Sequence, residues 1–485
     1  MPIDAFADIP THAAALRRGD YSAVELAEFF LHRLETYGAT LNAVVTLTRE
    51  RALREAKRAD AELAMGVDRG PLHGIPYGAK DLLAAAGYPT TWGAAPLRDQ
   101  RFDQDAAAVA KLKTAGAVLC AKLAMTEWAG GFGYDQPDAS FTGPPEAAWG
   151  EGRWAGGSSS GSGSAVGAGL LPFALGSETW GSIHSPANNN GVCGLRPTFG
   201  RVDRAGCMVL SWTMDKLGPL ARTAHDCGLV LNAIAGSGAF RGAPPHGDGE
   251  PGEIGEAFPP DEMVAERAYR YPPKRTPTPP FKLAILPGAA DRAQDAVREN
   301  YEASVAALRE LGTVEEIALP AFPYGAAATL ILNAELAAAS DDFLRDGLSW
   351  DLTAPEDRYG GYAGRMIPAV DYLNALRVRA RFARALDRWL APYDAVVTPA
   401  RATVAQPLGM PFRRYAPGAR AETLGGPANA AGLPGLCLPN GFDADGLPTG
   451  LNLVGRAFGE NRVLAVGRAY QARTDWHTRR PERWT

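Results

Sequence analysis

A chain of 485 residues, 46% hydrophobic and 21% charged, holds ample material for a folded core and excludes global disorder. Its length sets a soft expectation of two or three domains, with one large α/β domain also open. A net charge of −5 offers no basic surface for nucleic acid and no polybasic tract for a membrane, so neither is expected as a partner.

The five cysteines, Cys120, Cys193, Cys207, Cys227 and Cys437, are odd in number and form no close pairs, which argues against a disulfide framework or a zinc site. The seven histidines show no His-x-x-x-His spacing. No metal and no cofactor is expected. The first twenty residues lack a basic region followed by an apolar core and a cleavage site, and no later run of about 20 apolar residues occurs, so a cytoplasmic protein is expected.

Residues 22–34 place Val24, Leu26, Ala27, Phe30, Leu31 and Leu34 at helical spacing, with Ser22 as N-cap before Glu25. Residues 49–65 predict a second, richly charged helix whose charges read as a solvated face. Both belong to an outer helical layer over residues 1–70. From 70 to 93, turn formers enclose a short apolar stretch ending in Lys80 and Asp81, which reads as strand and then loop. His73 and Asp81 invite a Ser/His/Asp reading, but His73 reads better as a hydrogen-bonded loop residue. Residues 105–117 predict a helix and 117–121 a strand, followed by KLAMTEWAGG. Met125 and Trp128 there suit core packing as well as they suit a binding pocket.

The stretch GGSSSGSGS, from Gly156 to Ser164, looks by composition like a flexible linker. The residues after it argue otherwise. Positions 165–175 are too apolar to stay solvated, and they lead to a second Gly-Ser pair, Gly181 and Ser182. A buried Gly/Ser loop brings backbone N–H groups and hydroxyls close to a ligand, which is how an oxyanion is held.

Proline and glycine crowd residues 239–280 and preclude regular elements, so a surface excursion or connector is expected. Residues 281–286 and 314–319 then read as strands around a helix at 291–311, a βαβ unit. Residues 326–343 and 369–390 look helical. The second carries Arg377, Arg381, Arg384 and Arg388 along a face read as solvated. A last helix is expected at 461–472.

Several of these segments together resemble the amidase signature family. Gly156, Gly157, Ser158 and Ser159 match its Gly-Gly-Ser-Ser motif, while Gly176, Glu178, Gly181, Ser182, Ile183, Pro186 and Ala187 follow its second motif, with the family's spacing between the two serines. Gly74-Ile75-Pro76 and Lys80-Asp81 match Gly-Ile-Pro-x-x-x-Lys-Asp. Met125, Glu127 and Trp128 correspond to Asn-Met-x-Glu-Phe. The regions Gly194 to Thr198, Asp215 to Arg222, and the C-terminal Thr-Pro, Asn-x-x-Gly-x-Pro and Gly-x-Gln motifs continue the likeness, with Asn452 where glutamine is usual. Arg222 is read as an ion-pair anchor.

The resemblance implies an α/β fold, a central mixed β-sheet sandwiched between layers of α-helices. It implies one amidase signature domain over 1–485: an outer layer to 70, a catalytic core at 71–230, the connector at 239–280, and 281–485 completing sheet and pocket. It further implies Ser182 as nucleophile, Lys80 as base and Ser158 as proton relay after a cis peptide bond. The N–H groups of Thr179, Trp180, Gly181 and Ser182 would form the oxyanion hole, and Met125, Gly130, Gly131, Phe132 and Trp180 the substrate pocket.

Two positions depart from the pattern. Trp180 replaces a glycine, which predicts a pocket wall and a preference for bulky or aromatic substrates; His184 replaces an arginine. The expected activity is hydrolysis of amides, with esters and aryl carbamates also within reach. The expected partner is a small-molecule amide, without nucleic acid or membrane, and a homodimer is left open. The alternative is the amidase subunit of a tRNA-dependent amidotransferase, releasing ammonia from glutamine. A scaffold that merely retains the fold is the non-enzymatic reading.

Overall fold

A computed structural model describes residues 2–237, 258–259 and 261–485. Eleven strands form one mixed sheet: β1 (Val44–Leu47), β2 (Pro76–Lys80), β3 (Val118–Leu123), β4 (Phe173–Glu178), β5 (Cys193–Arg196), β6 (Lys216–Ala221), β7 (Phe281–Ile285), β8 (Gly312–Glu316), β9 (Ala395–Pro399), β10 (Gly435–Phe442) and β11 (Pro448–Val454). Their spatial order is β1-β3-β2-β4-β6-β5-β10-β11-β9-β7-β8. β2 runs parallel to both β3 and β4, whereas β4, β6, β5, β10, β11 and β9 alternate in direction. Strands β2 to β6, β9 and β11 are buried along their whole length, so helices cover both faces; the edge strands β1 and β8 remain partly exposed. This is the mixed sheet between helical layers that the resemblance implies.

Local signals account for much of this. Ser22 caps the helix Ala23–Tyr37 through a full capping box with Glu25, and its apolar stripe from Leu26 to Leu34 is buried. The helix Ala369–Leu390 has the expected bounds, and its arginines at 377, 381, 384 and 388 face solvent. β7 and β8 are parallel neighbours joined by the helix Asp295–Arg309, the expected βαβ unit. The expected helix at 326–343 is two, Tyr324–Ala339 and Asp341–Arg345, separated at Ser340. No described helix is long and apolar enough to cross a membrane.

Part of the expected connector, residues 239–257 and 260, lies outside the described residues. The return limb from 261 to 280 has no helix or strand and is anchored at a few points. Asp261 pairs with Arg204 at 2.7 Å and Tyr271 is buried, while Phe258, just ahead of the limb, packs on Phe102. Asp261 and Tyr271 pin the limb to the core at two points, while most of its other residues are exposed. Arg222 is corrected: it anchors the carbonyls of His477 and Arg479 instead of a carboxylate.

Beside the end of β2, Asp81 and Lys122 form a 2.7 Å ion pair with both side chains fully buried. Thr91 donates to the same carboxylate through its N–H and hydroxyl, and Lys122 also reaches Thr90. Breaking one half of such a pair strands a desolvated charge. Asp81→Asn is therefore expected to lower stability by about 3–5 kcal/mol, read from urea denaturation; a loss under about 1 kcal/mol would show that the pair does not hold this corner.

Candidate active site

Parallel pairing of β2 with β4 sets the end of β2 beside the loop that follows β4. The helix Ser160–Gly167 packs across the same strands, and every residue from Ser158 to Gly167 is buried, which excludes a linker. Gly161 makes this packing feasible, since a Cβ there would strike the Ala43 carbonyl oxygen. The Gly157–Ser158 peptide bond is cis.

Lys80 closes β2 with its side chain fully buried. Its Nζ lies 2.7 Å from Ser158 Oγ and 2.9 Å from Ser177 Oγ, and no carboxylate among the described residues pairs with it. Burial pushes its pKa down to about 7 against the pull of Asp215 and Glu178. The neutral amine, with its lone pair available, is therefore accessible near neutral pH. Ser158 is likewise buried, whereas Ser182 is partly exposed. The two serine loops meet where the Ser159 N–H donates to the Ser182 carbonyl at 3.2 Å; among the described residues no hydrogen bond joins the Ser158 and Ser182 hydroxyls.

The turn after β4 is held by Glu178, a fully buried carboxylate. One oxygen accepts the N–H groups of Ile183 and His184 at 2.8 and 2.9 Å; the other accepts from Arg196 at 2.7 Å and from Asn429 at 2.8 Å. Burial alone would raise its pKa, but His184, Arg196 and these hydrogen bonds hold it well below the usual carboxylate range. Thr179 is fixed in turn by donating its hydroxyl to Asp215 at 2.5 Å. With the turn so braced, the N–H groups of Thr179, Trp180, Gly181 and Ser182 have no acceptor among the described residues. Gly181 adopts φ 107°, a conformation that favours glycine. Four donors on one tight turn suit an anionic oxygen.

His184 does not take over a cationic role. Burial pushes its pKa down to about 4, and its Nε2 lies 3.1 Å from the Gly435 carbonyl. The neutral ring bridges the turn after β4 to β10. His73 is a loop histidine, 3.0 Å from Glu62, and takes no part in the Asp81–Lys122 pair.

Trp180 is 37% exposed, packs near Gly426 and lines a cavity of about 330 Å³ together with Gly157 and Gly181. A second cavity, of about 190 Å³ and mostly apolar, lies along Ser177, Thr179 and Leu210. Gly131 packs close to Leu210, and Gly130 to the Tyr134 ring. Met125 is buried in the core, and Phe132 packs on Trp128 and Phe343; neither lines these two cavities. Glu127 accepts the N–H groups of Thr353 and Ala354, which ties the Met125 segment to the C-terminal half. Sequence reasoning assigned no role to Ser177 or Asn429, and gave the segment of Arg196 only a structural role in carrying loops beside the site. Glu178 carried a signal, an acid at the end of an apolar run, but its partners are distant in sequence.

The amidase family model matches residues 25–464. Among curated relatives, the A subunit of glutamyl-tRNA(Gln) amidotransferase from Roseiflexus sp. is 36% identical, over 96% of both chains. The protein of that name from Ralstonia nicotianae is 34% identical, over 98% of this chain and 99% of its own. The native peptide amidase of Stenotrophomonas maltophilia has a similar structure, with a TM-score of 0.81, 29% identity and 98% of each chain covered. The amidotransferase relatives overturn the expectation of a small-molecule amide as partner with nucleic acid excluded, because their name is that of one chain of an enzyme of glutamyl-tRNA. A net charge of −5 describes one chain and places no limit on what an assembly containing it meets. On the match from residue 25 to 464 and on these relatives, the chain belongs to the amidase family.

Proposed function

We propose that this chain hydrolyses the C–N bond of a carboxamide through an acyl-enzyme on Ser182. The observation that carries the reading is Lys80, buried without a carboxylate partner and 2.7 Å from Ser158 Oγ. Neutral Lys80 takes the Ser158 proton while Ser158 takes that of Ser182, and Ser182 Oγ bonds to the carbonyl carbon. The carbonyl oxygen becomes an oxyanion facing the N–H groups of Thr179 to Ser182, each such donor contributing about 3 kcal/mol in the transition state. The proton returns through Ser158 to the nitrogen, the C–N bond breaks and the amine or ammonia leaves. Water, deprotonated along the same relay, then cleaves the ester and frees the acid.

For the wider role we propose the amidase subunit of a tRNA-dependent amidotransferase, which releases ammonia from glutamine for a partner subunit. Its support is the shared name of relatives at 34–36% identity across at least 96% of this chain. A second reading, a stand-alone hydrolase of bulky or aromatic amides, is favoured by one observation: an indole, Trp180, lines the cavity beside the nucleophile loop.

Glutamine, anilides, primary amides and aryl carbamates presented to the chain alone and with co-purifying subunits separate the two roles. Glutaminase activity that requires a co-purifying subunit carries the first, and turnover of anilides by the chain alone carries the second. In either case Ser182→Ala abolishes turnover and Lys80→Ala lowers kcat/KM by roughly 10²–10⁴-fold. Because the neutral amine is the base, kcat/KM rises with pH through a pKa of about 7; a profile flat across that region would remove Lys80 from the role. Trp180→Gly is expected to shift the turnover ratio of bulky over small amides roughly 10-fold, and an unchanged substrate profile would sink the wall assignment.

A further inference from the structure

The cavity beside Gly157 and Gly181 is closed from the C-terminal half by Arg401 and Asn452. Arg401 lies just beyond β9, and its guanidinium donates to Ser185 Oγ at 2.5 Å, close in sequence to Ser182. That is its one hydrogen bond among the described residues, and its Nε is buried without an acceptor. The ionisable groups facing it are Tyr134, Tyr415 and Cys437, two phenols and a thiol that are uncharged at neutral pH.

Four other enclosed arginines of this chain meet carboxylates, whereas buried Arg222 is held by two carbonyl oxygens. Arg51 meets Asp105, Arg196 meets Glu178, Arg201 meets Glu460 and Arg204 meets Asp261. Arg401 cannot shed its proton, so its positive charge stands in the cavity without a carboxylate partner among the described residues, and an anionic ligand would supply one. The Asn452 amide, 1% exposed on the same wall, presents an oxygen that no donor meets. A cation and an acceptor thus line one cavity without a partner for either Nε or Oδ1 among the described residues.

We propose that Arg401 binds a carboxylate of the substrate, and that Asn452 accepts an N–H from the same molecule. The inference deepens the proposed reaction and rests on Ser182 as its centre. It assigns the substrate class: carboxamides that also carry a carboxylate, held by charge-assisted hydrogen bonds from the guanidinium. Glutamine has such a group; simple anilides and aryl carbamates do not.

Binding to the full chain carrying Ser182→Ala reads this without turnover, by calorimetry with succinamate against the neutral diamide succinamide at fixed ionic strength. Succinamate is expected to bind roughly 10-fold more tightly or better. Adding Arg401→Met removes the difference, and adding Arg401→Lys keeps part of it. Equal affinities with Arg401 intact, no detectable binding of either ligand, or a preference that survives Arg401→Met overturns the proposal. Failure of the hydrolase reading shows separately, as absence of Ser182-dependent turnover in the unmodified chain.

Discussion

The carboxylate of Glu178, fully buried, ends β4 at the turn that carries Ser182, and it accepts four hydrogen bonds there. Two come from the N–H groups of Ile183 and His184 and so fix the turn. The other two come from Arg196 on β5 and from Asn429 in the helix Gly425–Ala430 and so fix the turn to the sheet and to the far half of the chain. A buried charge is tolerable only when its lone pairs are satisfied, which couples the geometry of the loop to that of the sheet. The turn then presents Thr179 to Ser182 without spending their N–H groups on the protein.

Lys80 shows the complementary arrangement. Its ammonium form has neighbours in Ser158 and Ser177 but no carboxylate in contact, so burial works on it unopposed at short range and drives its pKa to about 7. One residue further on, Asp81 is committed to Lys122 and Thr91 and is not free to neutralise Lys80. Adjacent side chains at a strand end point to opposite faces, and this alternation keeps a paired charge and an unpaired amine apart.

The legible part of the molecule was local. The capping box at Ser22, the arginine-studded helix Ala369–Leu390 and the parallel β7 and β8 pair each follow from periodicity and end signals within a short window. The proximity of Lys80 to Ser158 was implied by motif resemblance; neither spacing nor composition gives it, because it depends on β2 lying beside β4. The hidden part is non-local. Asn429 reaches Glu178 across 251 positions, and the proline-rich limb after residue 260 packs through Tyr271 and an ion pair that its composition disguised. Met125 and Phe132 illustrate the same limit, since an apolar residue near a motif serves a core as readily as a cavity.

The sheet order joins β5, beside the nucleophile loop, to β10, and β11 in turn to β9. As the ribosome extends the chain, Lys80, Ser158 and Ser182 emerge in its first 200 residues, but Asn429, β10 and the Arg401 and Asn452 wall follow more than 200 residues later. At about 5–20 residues per second this interval lasts on the order of ten seconds or more. Throughout it the Glu178 carboxylate lacks one of its donors and β5 lacks its outer neighbour. A nascent chain therefore carries Lys80, Ser158 and Ser182 well before it carries the strands and side chains that complete their surroundings.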